Sequence, residues 1–248
     1  MSSPTEIELV WGRGKWNKSK RQVLRPWIEA AVGIAESGLG FLGLETDRNI
    51  RMTVGLATAE INSEASADPL NRVVDIYIPN KDIKRKKMHR IFGGLALTTF
   101  HEIVHIVRAD KYSEEDLVET AATEGLAYMA EYILASEILT PEETQDNFND
   151  ELMLSGVAEQ RLIKDFARDS AVIDSLIDEN GTVDIDDFDL ASGILDRWFN
   201  PPGKSFPEGA SLGFTAVSRL IGLGVGFSEV FQMPAEEIMR LSDGHDGC

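Results

Sequence analysis

Residues 101–105 read His-Glu-Ile-Val-His, so two of the chain's four histidines stand four positions apart with a carboxylate beside the first. On an α-helix that spacing puts His101 and His105 on one face about a turn apart, where both imidazoles can reach a single tetrahedral Zn²⁺. Glu102 projects from the same turn and can take a proton from a water activated there. The chemistry this implies is metal-assisted hydrolysis. Three fixed residues are only a moderately specific signal, so the surrounding chain has to agree. It does: Phe100, Val104 and Ile106 place apolar side chains around the polar ones, as a buried active-site helix needs and a surface helix does not.

A catalytic zinc has three protein ligands and leaves the fourth position to water, so a third ligand must come from another segment. The next helical stretch offers Glu119, Glu124 and Glu131. Its start is marked by Ser113-Glu114-Glu115-Asp116, with Ser113 as the expected N-cap and the acids placed well against the helix dipole. Glu124 lies between Ala121-Ala122 and Gly125-Leu126-Ala127, an apolar setting in which a carboxylate needs a cationic partner. Glu119 is closer to the acidic, exposed-looking start, and Glu131 lies farther on. Glu124 is the first choice and Glu119 the reserve.

His101-Glu102-x-x-His105-x-x-Arg108, followed by Glu124-Gly125-Leu126-Ala127, resembles the predicted zinc-dependent proteases grouped as a bacterial domain of unknown function with these two signatures. The wider resemblance is to the gluzincins, whose zinc is held by two histidines and a glutamate on a following helix. The match spans about residues 81–139, and the Gly-rich segment 212–239 is similar in character. The resemblance implies His101, His105 and Glu124 as ligands of one zinc per chain, Glu102 as general base, and a supporting role for Arg108. It departs from the family at Gly213-Phe214, where a Gly-Tyr pair is expected to supply an aromatic hydroxyl to the oxyanion.

Tyr128 is the substitute within reach, one turn after Glu124; its plainer reading is a packing aromatic with its hydroxyl at the surface. Arg108 either clamps a carboxylate such as Glu124 or Glu119 or complements the helix dipole at the C-terminal end. His89 belongs with the basic run 84–90, and His245 sits in a Gly/Asp tail.

The elements that must position these residues are legible in part. Residues 7–11, 50–58 and 72–79 alternate in the manner of strands, the last two separated by a polar loop at 60–71. Segment 72–78, just before the metal helix, is the candidate edge for pairing with an extended substrate, and equally an internal strand with no substrate role. Residues 22–44 read as a helix interrupted at Gly33, Gly38 and Gly40, and 81–109 as one helix or two joined at Gly93-Gly94. Beyond 139 the chain is turn-like and acidic to 150, helical over 151–177, broken at 200–203, and helical again over 212–226 and from 234. Residues 176–187 imitate a calcium loop, but aligning Gly181 on its glycine puts Leu176 at the first ligand position, so a turn at Asn180-Gly181 is expected instead.

These readings converge on an α+β, zincin-like metallopeptidase with a small mixed sheet, an active-site helix, a following glutamate helix and a C-terminal helical layer. One domain over residues 1–248 is expected, its motif core at about 50–140 and a mainly helical part at 141–248. The alternative is a regulatory zinc-binding module that keeps the metal and has lost turnover. A formal net charge of −18 disfavours nucleic acid as a partner and leaves peptide or protein as the expected substrate. Met1-Ser2-Ser3-Pro4 lacks a signal pattern, no apolar run reaches membrane length, and the single cysteine, Cys248, excludes an intramolecular disulfide framework. A cytoplasmic protein is the resulting expectation.

Overall fold

The computed structural model describes residues 7–12, 16–44, 46, 48–57, 65–79, 88–112, 116–148, 156–177, 182–184, 187–201 and 207–243. The protein is α+β: mostly helical, with one four-stranded mixed sheet among these residues. Its described residues fall into two compact units, one from Met1–Lys111 and Ala130–Thr144, the other from Tyr112–Met129 and Gln145–Cys248.

The first unit begins with β1 (Ile7–Trp11), α1 (Lys18–Leu42), β2 (Ile50–Ala57), β3 (Ala65–Asp68) and β4 (Val73–Pro79). The sheet order is β1-β2-β4-β3, with β1, β2 and β4 parallel and β3 antiparallel to β4. Alternation on the two middle strands builds a single apolar face. Met52, Val54 and Leu56 pair in register with Val74, Ile76 and Ile78, and all six are buried.

β4 is therefore internal, between β2 and β3, which selects the internal-strand reading of residues 72–78 over the substrate edge. Its second side is taken by β3, whose Ala-Ser-Ala-Asp sequence falls inside the predicted polar loop and carries no β-branched residue. Arg72 itself lies outside the strand, in a left-handed turn at φ 53°. Its guanidinium donates to Asp110, to the Thr46 hydroxyl at 3.0 Å and to the Asn49 and Arg48 carbonyls at 3.1 Å. Thr46 also donates to Asp110 at 2.8 Å, so one arginine ties the entry to β2 and the turn before β4 to the end of the motif helix.

That helix, α2 (Met88–Ala109), runs without a break through Gly93-Gly94, and residues 81–87 of the expected helix lie outside the described set. It packs along α1 and against β3 and β4. α1 is likewise uninterrupted, because Leu24, Ile28, Ala31, Ala35 and Leu39 keep one face buried past Gly33 and Gly38. α1 approaches α2 closely at Gly38: a Cβ there would stand 3.0 Å from the Phe100 ring, one residue before His101.

α3 (Leu117–Ile138) begins at Asp116, whose Oδ1 accepts the Glu119 N–H at 2.6 Å; the predicted cap, Ser113, lies outside the described residues. Leu117, Ala121, Ala122, Leu126, Ala127 and Ala130 are buried over the first four turns of α3, and Glu119 and Glu124 stand among them in sequence. Segment 141–147, expected as a turn, is a short helix, α4 (Pro141–Asn147). Thr140, Pro141 and Glu143 form a capping box: the Thr140 hydroxyl accepts the Glu143 N–H at 3.3 Å while Glu143 accepts the Thr140 N–H at 3.0 Å. Those bonds, the backbone one first and the hydroxyl second, hold the Glu143 carboxyl below its ordinary range.

The second unit comprises the start of α3 with α5 (Gly156–Leu176), α6 (Phe188–Phe199), α7 (Glu208–Gly222), α8 (Phe227–Phe231) and α9 (Ala235–Asp243). α6 and α8 were not legible in the sequence. Leu117, Ala121, Phe166, Trp198 and Leu212 form its core, and the Trp198 indole donates to the buried Asp169 carboxylate at 2.9 Å. Ile177 and Val183 pair in an isolated bridge; Asn180 and Gly181, between them, lie outside the described residues, as do the 84–90 side chains, Pro202-Gly203, His245 and Cys248.

α3 and α7 cross with their backbones touching. A Cβ on Gly213 stands 1.7 Å from the Ala121 carbonyl oxygen, and one on Gly125 stands 2.1 Å from the Gly213 carbonyl carbon. Gly213→Ala favours the helix by about 1 kcal/mol in propensity but forces the crossing apart, which costs about 1–3 kcal/mol or more. The expected result is a lower thermal unfolding midpoint; an unchanged or raised midpoint contradicts the crossing.

Candidate metal centre

α2 carries His101 and His105 one turn apart, and their Nε2 atoms stand 3.3 Å from each other. Two nitrogens each about 2.0–2.1 Å from one tetrahedral zinc are separated by about 3.3–3.4 Å, so the pair already has the edge length of such a coordination shell. His105 is buried at 6% exposure and His101 is half-buried. α3 supplies Glu124, half-buried, and the ligand atoms of His101, His105 and Glu124 all lie within 4.8 Å of one another. The cluster can hold a metal ion. Two neutral nitrogens and one carboxylate form a donor set suited to a borderline-soft divalent cation.

Glu102 follows His101 on α2 and is half-buried. Tyr128, also half-buried, lies one turn after Glu124 on α3. Arg108 is fully buried at 0% exposure and stands in the last turn of α2, where a basic residue complements the helix dipole. Glu119 differs from expectation. It is buried at 5% rather than exposed, because Leu117 and Ala121 around it are core residues, and its Oε1 accepts the Thr123 hydroxyl at 3.2 Å. The cluster includes Glu124 and not Glu119.

Glu131 was weighed in the sequence only as a ligand. In the structure its Oε2 lies 3.2 Å from His101 Nδ1, the ring nitrogen facing away from the histidine pair contact. Its position two turns after Glu124 was a readable signal, since residues at that separation share a helix face, but the identity of its partner depends on how α2 and the later turns of α3 pack. Phe214 is buried at 5%.

No family model, curated protein or solved structure matches the chain. No described helix is long and apolar enough to cross a membrane.

Proposed function

We propose that the chain is a zinc-dependent metallopeptidase of zincin-like, gluzincin type, related to the predicted bacterial zinc proteases it resembles, with His101, His105 and Glu124 as ligands of one zinc. The observation that carries this reading is the convergence of those three side chains from α2 and α3 with Glu102 adjacent to the first ligand. Bound zinc supplies Lewis acidity to a carbonyl oxygen and makes a water acidic enough to lose a proton near neutral pH. Glu102 accepts that proton as the water attacks the scissile carbonyl and delivers it to the departing amine nitrogen. Arg108, buried one turn after His105, supports the end of the motif helix, and Tyr128 is the hydroxyl offered to the oxyanion. The substrate class is peptide or protein, in a cytoplasmic setting.

Phe214 favours a second reading, a zinc-binding module without turnover, because it brings a buried hydrocarbon ring where a phenol is expected. Paired measurements of zinc content and hydrolysis of a mixed peptide library separate the two. The peptidase reading predicts hydrolysis by the native chain, loss after chelation, and recovery on adding back one equivalent of zinc. Zinc retained with no cleavage of any peptide selects the module.

A further inference from the structure

We propose that Glu131 is a positioning residue of this centre: it holds the His101 ring in the Nδ1–H form and thereby commits Nε2 to the metal. The inference rests on the zinc reading above. Glu131 Oε2 is 3.2 Å from His101 Nδ1, and the two side chains are only 16% and 12% exposed. A carboxylate only accepts, so the proton of this contact is on Nδ1. A neutral imidazole protonated there carries its lone pair on Nε2, the nitrogen 3.3 Å from His105 Nε2. Without the carboxylate both tautomers of His101 become accessible, and the one with a proton on Nε2 cannot ligate.

The arrangement gives α3 two separate duties. Glu124 offers an oxygen to the ion, while Glu131, about two turns farther along the same helix, acts only through the ring it orients. One helix thus carries both the third ligand and the residue that sets the tautomer of the first, and outer partners of this kind are worth about 10–100-fold in metal affinity.

The test compares the full-length native protein with Glu131→Leu, Glu131→Gln and His101→Ala by zinc competition titration, and follows the histidine ring nitrogens of the zinc-free protein by long-range ¹H–¹⁵N NMR. Glu131→Leu is expected to weaken zinc binding by about 10–100-fold and to convert the single Nδ1–H signature of His101 into a mixture. Glu131→Gln keeps an acceptor oxygen and is expected to restore the Nδ1–H form and much of the affinity. Native affinity together with an unchanged His101 tautomer in Glu131→Leu overturns the proposal; should that variant fail to fold, the same result in Glu131→Ala overturns it instead. His101→Ala separates the two levels: zinc lost there but unaffected in Glu131→Leu removes only the role of Glu131, whereas full zinc binding in His101→Ala removes the metal site itself.

Discussion

If the proposed peptidase reading holds, Glu102→Gln is expected to leave zinc bound and the fold intact while peptide hydrolysis falls by about 10²–10⁴-fold or more, the range a positioned general base supplies. The amide matches the carboxylate in size and shape, so the half-buried position beside His101 stays filled. What it lacks is basicity: it cannot take the proton of the attacking water or carry it to the leaving amine. A matching loss in zinc content would mean that Glu102 supports the metal rather than the proton transfer. Unchanged turnover on any peptide that the native chain cleaves would end the mechanism.

The residues nearest the chemistry were the most legible ones, because local helical spacing decides them. His101 and His105 are brought together by the α-helical repeat alone, and α2 needed only to be a helix for their Nε2 atoms to meet. β1, β2 and β4 were readable from their alternation, which the parallel register turns into one buried face. β3 was not, since Ala65–Asp68 has the composition of a loop and becomes a strand by pairing with β4. For the same reason β4 could be read as an edge or as an internal strand until its neighbour was known. α4 carried its signal openly in Thr140, Pro141 and Glu143, but its acidity suggested a turn.

Burial was harder to read than position. Glu119 and Glu124 both follow from the α3 pattern, yet the sequence assigned the more exposed setting to Glu119, which the core around Leu117 and Ala121 encloses more fully. The glycines were visible as composition; that Gly125 and Gly213 are required where α3 and α7 touch is a property of the crossing. Arg72 shows the same limit. A bonded hub at a left-handed turn has no sequence pattern of its own, and only the assembled loop entries and the end of α2 give it partners.

The second large effect is expected at Glu124, where the central claim is most exposed to refutation. Glu124→Ala removes the charged member of the three-residue donor set, leaving two neutral nitrogens on one helix face to hold the ion. Three protein ligands with one position left for water define a catalytic zinc, and a site reduced to two protein ligands is expected to lose at least about 10²-fold in affinity, more than the 10–100-fold typical of an outer partner. Glu119→Ala removes a buried carboxylate that accepts from Thr123 and is not part of the cluster, so its cost falls on stability while zinc affinity changes little. A zinc competition titration of the native protein, Glu124→Ala and Glu119→Ala measures this directly. Tight binding of about one zinc per chain is expected in the native protein and in Glu119→Ala, and a large loss in Glu124→Ala; native-like affinity in Glu124→Ala with the loss in Glu119→Ala instead would contradict Glu124 as the third ligand.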